Sequence, residues 1–162
     1  VILALKRFVH NDHSETKVKI DLIQNIEIVL TLLHNLLKQG VEVVRNFQSI
    51  PEINCYPDEL LQVWTNLITN AIQAMEHKGT LTIEVSQQNS KVDVKISDTG
   101  KGIPLKYREK IFEPFFTTKK AGEGTGIGLD IVKKIIEKNN ATINFESEVG
   151  KGTTFLVSLP VI

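Results

Sequence analysis

The sequence predicts an α+β fold: a two-layer α/β sandwich with about three helices on one face of a mixed sheet of about five strands. Three segments repeat their apolar residues at three- and four-residue spacing, the period of a helix with one buried side. Other segments alternate apolar with polar residues, the period of a strand. Those strands alternate instead of being apolar throughout, so one face of the sheet meets helices and the other meets water.

The elements follow in order. Residues 1–9 carry Ile2, Leu5 and Val9 at helical spacing and read as the end of a longer helix. Residues 10–17 are polar and read as a linker, with the domain boundary near Lys17. In residues 21–38, Leu22, Ile26, Val29, Leu30, Leu33 and Leu37 form an apolar stripe, Asp21 is a cap and Gly40 a stop. Val41, Val43 and Phe47 alternate as a strand, and residues 53–56 read as a short edge strand. Pro57, Asp58 and Glu59 open the clearest helix, because proline suits a first turn and acids there oppose the helix dipole. Its broad apolar face runs from Leu60 to Met75, and Gly79 ends it. Leu81, Ile83 and Val85, then Val92, Val94 and Ile96, form a hairpin across a turn at residues 87–90. Residues 98–128 lose regular pattern and hold six of the ten glycines. A helix over residues 127–138 and a final strand pair, Ile143/Phe145 and Phe155/Val157/Leu159, close the chain.

With 162 residues, 41% hydrophobic and 23% charged, the chain fits one folded domain. Nineteen basic side chains balance 19 acidic ones, so no general field exists to hold nucleic acid or an anionic membrane. A single cysteine, Cys55, excludes an internal disulfide and fits a small core residue in a reducing compartment. No apolar run approaches the ~20 residues of a spanning helix, so this segment does not insert into a membrane. The chain begins at Val1 and reads as a fragment, which leaves room for an anchor upstream in the full-length protein.

Four blocks carry chemistry. Asn66 and Asn70 lie one helical turn apart at the border of an apolar face, and an amide oxygen there can ligate a hard cation such as magnesium. Taken singly, each is also an ordinary surface amide. Asp98 ends a strand before Gly100 and Gly102: a common turn, or a carboxylate that accepts from an exocyclic amine while glycines admit a flat ligand. Gly122, Gly124, Gly126 and Gly128 alternate before a helix, where bare N–H groups hold anions; the spacing is neither a P-loop nor a dinucleotide fingerprint. Phe112, Phe115 and Phe116 fit either core packing or a hinged lid, with Lys119 and Lys120 in reach of phosphate. His10, His13, His34 and His77 share no metal-ligand spacing, and no hydrolase triad is present.

In this order the blocks resemble one family. Asn66-Leu67-Ile68-Thr69-Asn70-Ala71 resembles its N box, and Asp98-Thr99-Gly100-Lys101-Gly102 its first glycine box. Phe112-Glu113-Pro114-Phe115-Phe116 resembles its F box, Gly124-Thr125-Gly126-Ile127-Gly128-Leu129 its second glycine box, and Gly150-Lys151-Gly152-Thr153-Thr154-Phe155 its closing hairpin. The family is the histidine-kinase branch of the ATPases that include gyrase, the Hsp90 chaperones and MutL, with the Bergerat-type ATP-binding fold. The resemblance implies residues 18–162 as the ATP-binding catalytic domain and residues 1–17 as the end of a dimerisation helix and its linker. It implies ATP and Mg2+ as cofactors, Asn70 on the metal and Asn66 supporting the phosphates. Asp98 reads adenine with Thr153 beside it, and Gly100, Gly102 and Ile103 line the base pocket. Gly124, Thr125, Gly126, Gly128 and Leu129 wrap the phosphates, and the stretch from Phe112 to Gly124 is a lid with Lys119 on phosphate. The implied partners are a histidine-bearing dimerisation domain and a downstream response regulator, in the cytoplasm.

In the ATP-hydrolysing relatives a glutamate usually stands where Asn66 does, and an amide cannot act as that base. The resemblance therefore favours a protein-histidine kinase over a superfamily ATPase, an anti-sigma-type serine kinase or a non-enzymatic nucleotide-binding module. The sequence departs from the family pattern in two places. Ala74 stands where some kinases carry a basic or tyrosine residue, and the acceptor motif, histidine-acid-Pro-Leu, is absent.

Overall fold

The computed structural model describes residues 16–114, 116 and 128–161. The elements are β1 (Val18–Ile20), α1 (Leu22–Leu32), α2 (His34–Leu37), β2 (Val41–Phe47), β3 (Ile53–Cys55), α3 (Pro57–Ala74), β4 (Gly79–Gln88) and β5 (Lys91–Asp98). A 3₁₀ turn (Leu105–Tyr107), α4 (Leu129–Lys138), β6 (Thr142–Glu148) and β7 (Gly152–Pro160) complete them. The main sheet has the order β2-β4-β5-β7-β6, with β2 parallel to β4 and the other pairs antiparallel. It is the mixed five-stranded sheet of an α+β sandwich.

Alternation sets the layers. Leu81, Ile83, Val85, Val92, Val94, Ile96, Phe155, Val157 and Leu159 face α1, α3 and α4 and are buried. The opposite face carries Thr82, Glu84, Asp93, Lys95, Thr154 and Ser158. α3 runs between α1 and α4 and anchors the helical layer. Its Trp64 is fully buried, and the indole Nε1 donates to Asn25 Oδ1 on α1 at 2.8 Å. The Asn25 amide in turn donates to the Pro57 carbonyl at 3.2 Å, so the polar end of the ring is satisfied inside the core. Truncating a ring of this size in a packed core costs about 3–5 kcal/mol.

Several boundaries differ from the sequence pattern. The helix expected over residues 21–38 has its Asp21 cap, which accepts from Ile23 N and Gln24 N, but it breaks at Leu33 into α1 and the single-turn α2. The apolar repeat runs unbroken through that break, so periodicity alone does not show it. Four α-helices therefore stand where three were expected. The strand at residues 53–56 does not edge the main sheet. It forms a separate two-stranded ribbon with β1, an element the pattern did not suggest, with Val18 opposite Cys55. α3 ends at Ala74 with Met75 as its cap, and Glu76 and His77 turn the chain at positive φ before Gly79 opens β4. β4 extends to Gln88, so the hairpin turn tightens to Asn89 and Ser90. The last helix begins at Leu129, residue 127 lying outside the described residues. Among the described residues no helix is long and apolar enough to cross a membrane.

Candidate functional site

α3 acts as a ruler. Asn66, Asn70 and Ala74 fall at four-residue steps, so they form one line about 12 Å long down the helix. At its first end Asn66 is buried, 3% exposed, although it is an amide. It accepts from Asn70 Nδ2 at 2.9 Å and donates from Nδ2 to the Gly128 carbonyl at 3.4 Å. Gly128 is the cap of α4; its carbonyl accepts from Ile131 N at 3.2 Å, and among the described residues no side chain caps the Leu129 and Asp130 N–H groups, the position where a helix start meets an anion. The amide pair and the start of α4 are therefore one neighbourhood.

At the far end of the line, the Ala74 carbonyl accepts from Lys101 N at 3.1 Å. A side chain on Gly100 would stand 2.6 Å from that same oxygen, so the first glycine loop can pack on α3 only as glycine. Asp98, the last residue of β5, turns Oδ1 toward the loop and accepts from Gly100 N at 2.8 Å and Thr153 N at 3.3 Å. Burial pushes its pKa above the usual carboxylate value, and the two amides partly offset that. Among the described residues its Oδ2 receives no protein donor.

Leu81, Asp98, Thr153 and Ser147 form a transverse row on the inner face of the sheet, across β4, β5, β7 and β6. Ser147 joins the row to the glycine loop. Its hydroxyl accepts from Ile103 N at 2.7 Å and lies 2.8 Å from Thr153 Oγ1 and 3.2 Å from the Gly152 carbonyl. Arg108 donates to the Ser147 and Ile103 carbonyls. Two glycines make the meeting possible. Gly102 has φ +77°, and a side chain there would stand 2.4 Å from the Glu148 carbonyl. At Gly152, with φ +133°, it would stand 1.9 Å from the Asp98 carbonyl. A shallow depression of about 380 Å³ opens beside the row, bounded by Asp98, Ser147, Gly152 and Thr153 among others. A second, of about 420 Å³, lies at Asn46, Glu84 and Lys95 on β2, β4 and β5 and is lined by none of the candidate site residues.

Phe112 is half-buried, 6.0 Å from the Phe145 ring, which is itself 5.7 Å from Phe155. Core packing therefore accounts for this aromatic. Lys133 of α4 sits 5.7 Å over Phe112. Leu129 and Ile103 pack on the core from its edge. Lys119, Gly124, Thr125 and Gly126, with most of the expected lid, lie outside the described residues, as do His10 and His13. His34 and His77 are exposed on separate elements. Ser147 was passed over in the sequence, though the inward alternation Ile143, Phe145, Ser147 sets a hydroxyl where an apolar residue is expected.

Comparison with known proteins settles the family. The model of the "Histidine kinase-, DNA gyrase B-, and HSP90-like ATPase" family matches residues 55–162. The chain belongs to this family. Within this ATPase family it is of the kind that forms the ATP-binding catalytic domain of sensor histidine kinases. It is 44% identical over 113 residues to the sensor histidine kinase ZraS of Escherichia coli K12, a match covering 70% of this chain and 24% of that protein. Sporulation kinase A of Bacillus subtilis is 42% identical over 108 residues, covering 67% of this chain and 18% of that protein. The chain thus spans about a quarter or less of these relatives. Among solved structures, the catalytic domain of histidine kinase ThkA superposes with a TM-score of 0.81 at 30% identity, covering 90% of this chain and 95% of that one. ThkA in complex with response regulator protein TrrA superposes with a TM-score of 0.77 at 28% identity, over 90% of this chain and 42% of that one.

Proposed function

We propose that this domain binds Mg-ATP and transfers its γ-phosphoryl group to a histidine on a separate dimerisation domain, from which a response regulator takes it, in the cytoplasm. The observation that carries the reading is Asp98. One oxygen is clamped by Gly100 N and Thr153 N, which aims the other toward a ligand's N–H. An exocyclic amine such as that of adenine fits it.

The ruler on α3 supplies the rest. If the base lies at Ala74 and Gly100, the phosphates run along the helix past Asn70, about 6 Å away, to Asn66 and Gly128, about 12 Å away. Gly124, Thr125, Gly126 and Leu129, with Lys119, surround them in this reading, and Phe112 hinges the lid. Asn70 offers one neutral amide oxygen. That is a fitting donor for Mg2+, which keeps several waters and takes phosphate oxygens for its other ligands. When bound there, the ion supplies charge stabilisation to the transferring phosphoryl group. Asn66 is already engaged with Asn70 and Gly128, and an amide takes no proton. It therefore supports phosphate without activating water, and the acceptor imidazole supplies the nucleophile.

The test is calorimetry with ATP and ADP, with and without Mg2+, followed by transfer to an added dimerisation domain that bears the acceptor histidine. Magnesium-dependent binding with acid-labile transfer supports the reading. Absence of nucleotide binding by the intact chain overturns it.

A further inference from the structure

Thr153 is buried, 5% exposed, and stands in the row between Asp98, which accepts from its backbone N, and Ser147, which its hydroxyl meets. A hydroxyl has one proton and can face a ligand either as donor or as acceptor. What decides is the neighbour on its protein side, and here that is Ser147. Ser147 Oγ already accepts a proton from Ile103 N at 2.7 Å. Its own proton can go to the Gly152 carbonyl at 3.2 Å or to Thr153 Oγ1 at 2.8 Å; in the shorter contact either hydroxyl can be the donor.

We propose that Ser147 is a positioning residue that fixes the polarity of the base pocket: by donating to Thr153 Oγ1 it turns the Thr153 O–H outward as a donor. Asp98 Oδ2 and Thr153 then present an acceptor beside a donor. That pair matches the amine and the neighbouring ring nitrogen of a 6-aminopurine. It opposes a 6-oxopurine at both positions, since the latter offers an oxygen where Asp98 accepts and an N–H where Thr153 donates. Sites built to pair buried polar groups reject the mispaired ligand strongly. Arg108 holds Ser147 from behind through its carbonyl, so the serine is fixed independently of the ligand.

This inference rests on the nucleotide reading above and deepens it. The probes are ADP, inosine 5′-diphosphate and purine riboside 5′-diphosphate, the last lacking the amine but keeping the ring acceptor. Neither the purine riboside nor the inosine nucleotide carries the amine, and the repulsion between Asp98 and the inosine oxygen is common to every Ser147 variant, so the change in preference between them on substituting Ser147 isolates the Thr153 contact. Calorimetry on the intact chain should show that preference fall roughly tenfold in Ser147→Ala, and Ser147→Thr, which keeps the hydroxyl, should restore it. Ser147→Cys keeps the volume but is a weak partner. It should show a smaller loss of the same kind, and it keeps the test open if the alanine variant does not fold. An unchanged preference in Ser147→Ala or Ser147→Cys overturns the role of Ser147. Asp98→Asn is the separate control: a lost preference for ADP over the purine riboside nucleotide leaves the site reading standing, and an unchanged one overturns it.

Discussion

Asp98 is half covered by protein, and burial raises its carboxyl pKa more than the Gly100 and Thr153 amides lower it. The folded state thus holds the proton more tightly than the unfolded chain does. Between the two pKa values it binds more protons, so this group's contribution to stability falls as pH rises through that window. Asn at this position can still accept both amides, and it removes the desolvated charge. Asp98→Asn should therefore make the nucleotide-free protein slightly more stable at neutral pH, and the gap should close as pH falls below the ordinary carboxylate range. Urea midpoints of the two proteins across pH would show it, and a gap independent of pH would refute it. Adenine-nucleotide affinity should drop by about 1–3 kcal/mol, because an amide N–H then faces the ligand's amine. Asn70 lies at the helix border and is only half-buried. Asn70→Ala should abolish phosphotransfer and shift the unfolding midpoint little; normal transfer at ordinary magnesium would remove it from the site. Asp98, Gly100, Asn66 and Asn70 were legible as candidates because their blocks follow one another in a set order; each alone reads as a common turn or a surface amide. Ser147 was not among them. Its only signal was a hydroxyl at an inward position of β6, and its role needs the register that sets it opposite Thr153.

Asn139 shows what holds the elements in place around that site. It is 1% exposed at the end of α4. Its amide donates to the Ile135 carbonyl at 2.8 Å, and its oxygen accepts from Tyr56 N at 3.0 Å, where β3 passes into α3. Beside it, Lys138 pairs with Glu59 at 2.6 Å and lies 4.4 Å over the Tyr56 ring. The two contacts look alike on paper but differ in burial. Asn139→Ala leaves the Tyr56 N–H without its acceptor inside the protein and should cost about 1–3 kcal/mol. Lys138→Met removes a surface ion pair and should cost no more than about 1 kcal/mol. Denaturant midpoints would separate them, and equal losses would contradict the burial argument. This latch was invisible in the sequence because its partners stand 83 residues apart. The pairing of the β1–β3 ribbon was equally invisible: β3 was read as a short strand, but three-residue β1 shows no pattern of its own and Val18 meets Cys55 from a distant part of the chain. The strands of the main sheet were legible, since each is long enough for alternation to show.

At the scale of the whole molecule, the sheet turns one face to the helices and the ruler on α3 turns toward the start of α4, so the candidate site opens beside the helical layer. The chain can therefore present a nucleotide, but a phosphoryl acceptor has to come from outside it. His34 and His77, the described histidines, are exposed on α2 and in the turn before β4, and neither begins a histidine-acid-Pro-Leu motif. His10 and His13 do not match that motif either. Among the described residues no histidine belongs to such a motif, so the large gain from proximity and orientation has to come with an added acceptor domain. Asn66 also cannot replace the glutamate that activates water in the hydrolytic relatives. The chain alone should therefore bind ATP, label itself negligibly and release phosphate slowly. Incubation with γ-labelled ATP, with and without a dimeric helical domain bearing the acceptor histidine, would check this. Label should appear on the added domain and be lost in acid, as expected of a phosphoramidate. Rapid acid-stable labelling of the chain on serine or threonine would overturn the histidine-kinase reading in favour of a serine kinase, and brisk phosphate release without labelling would point to an ATPase.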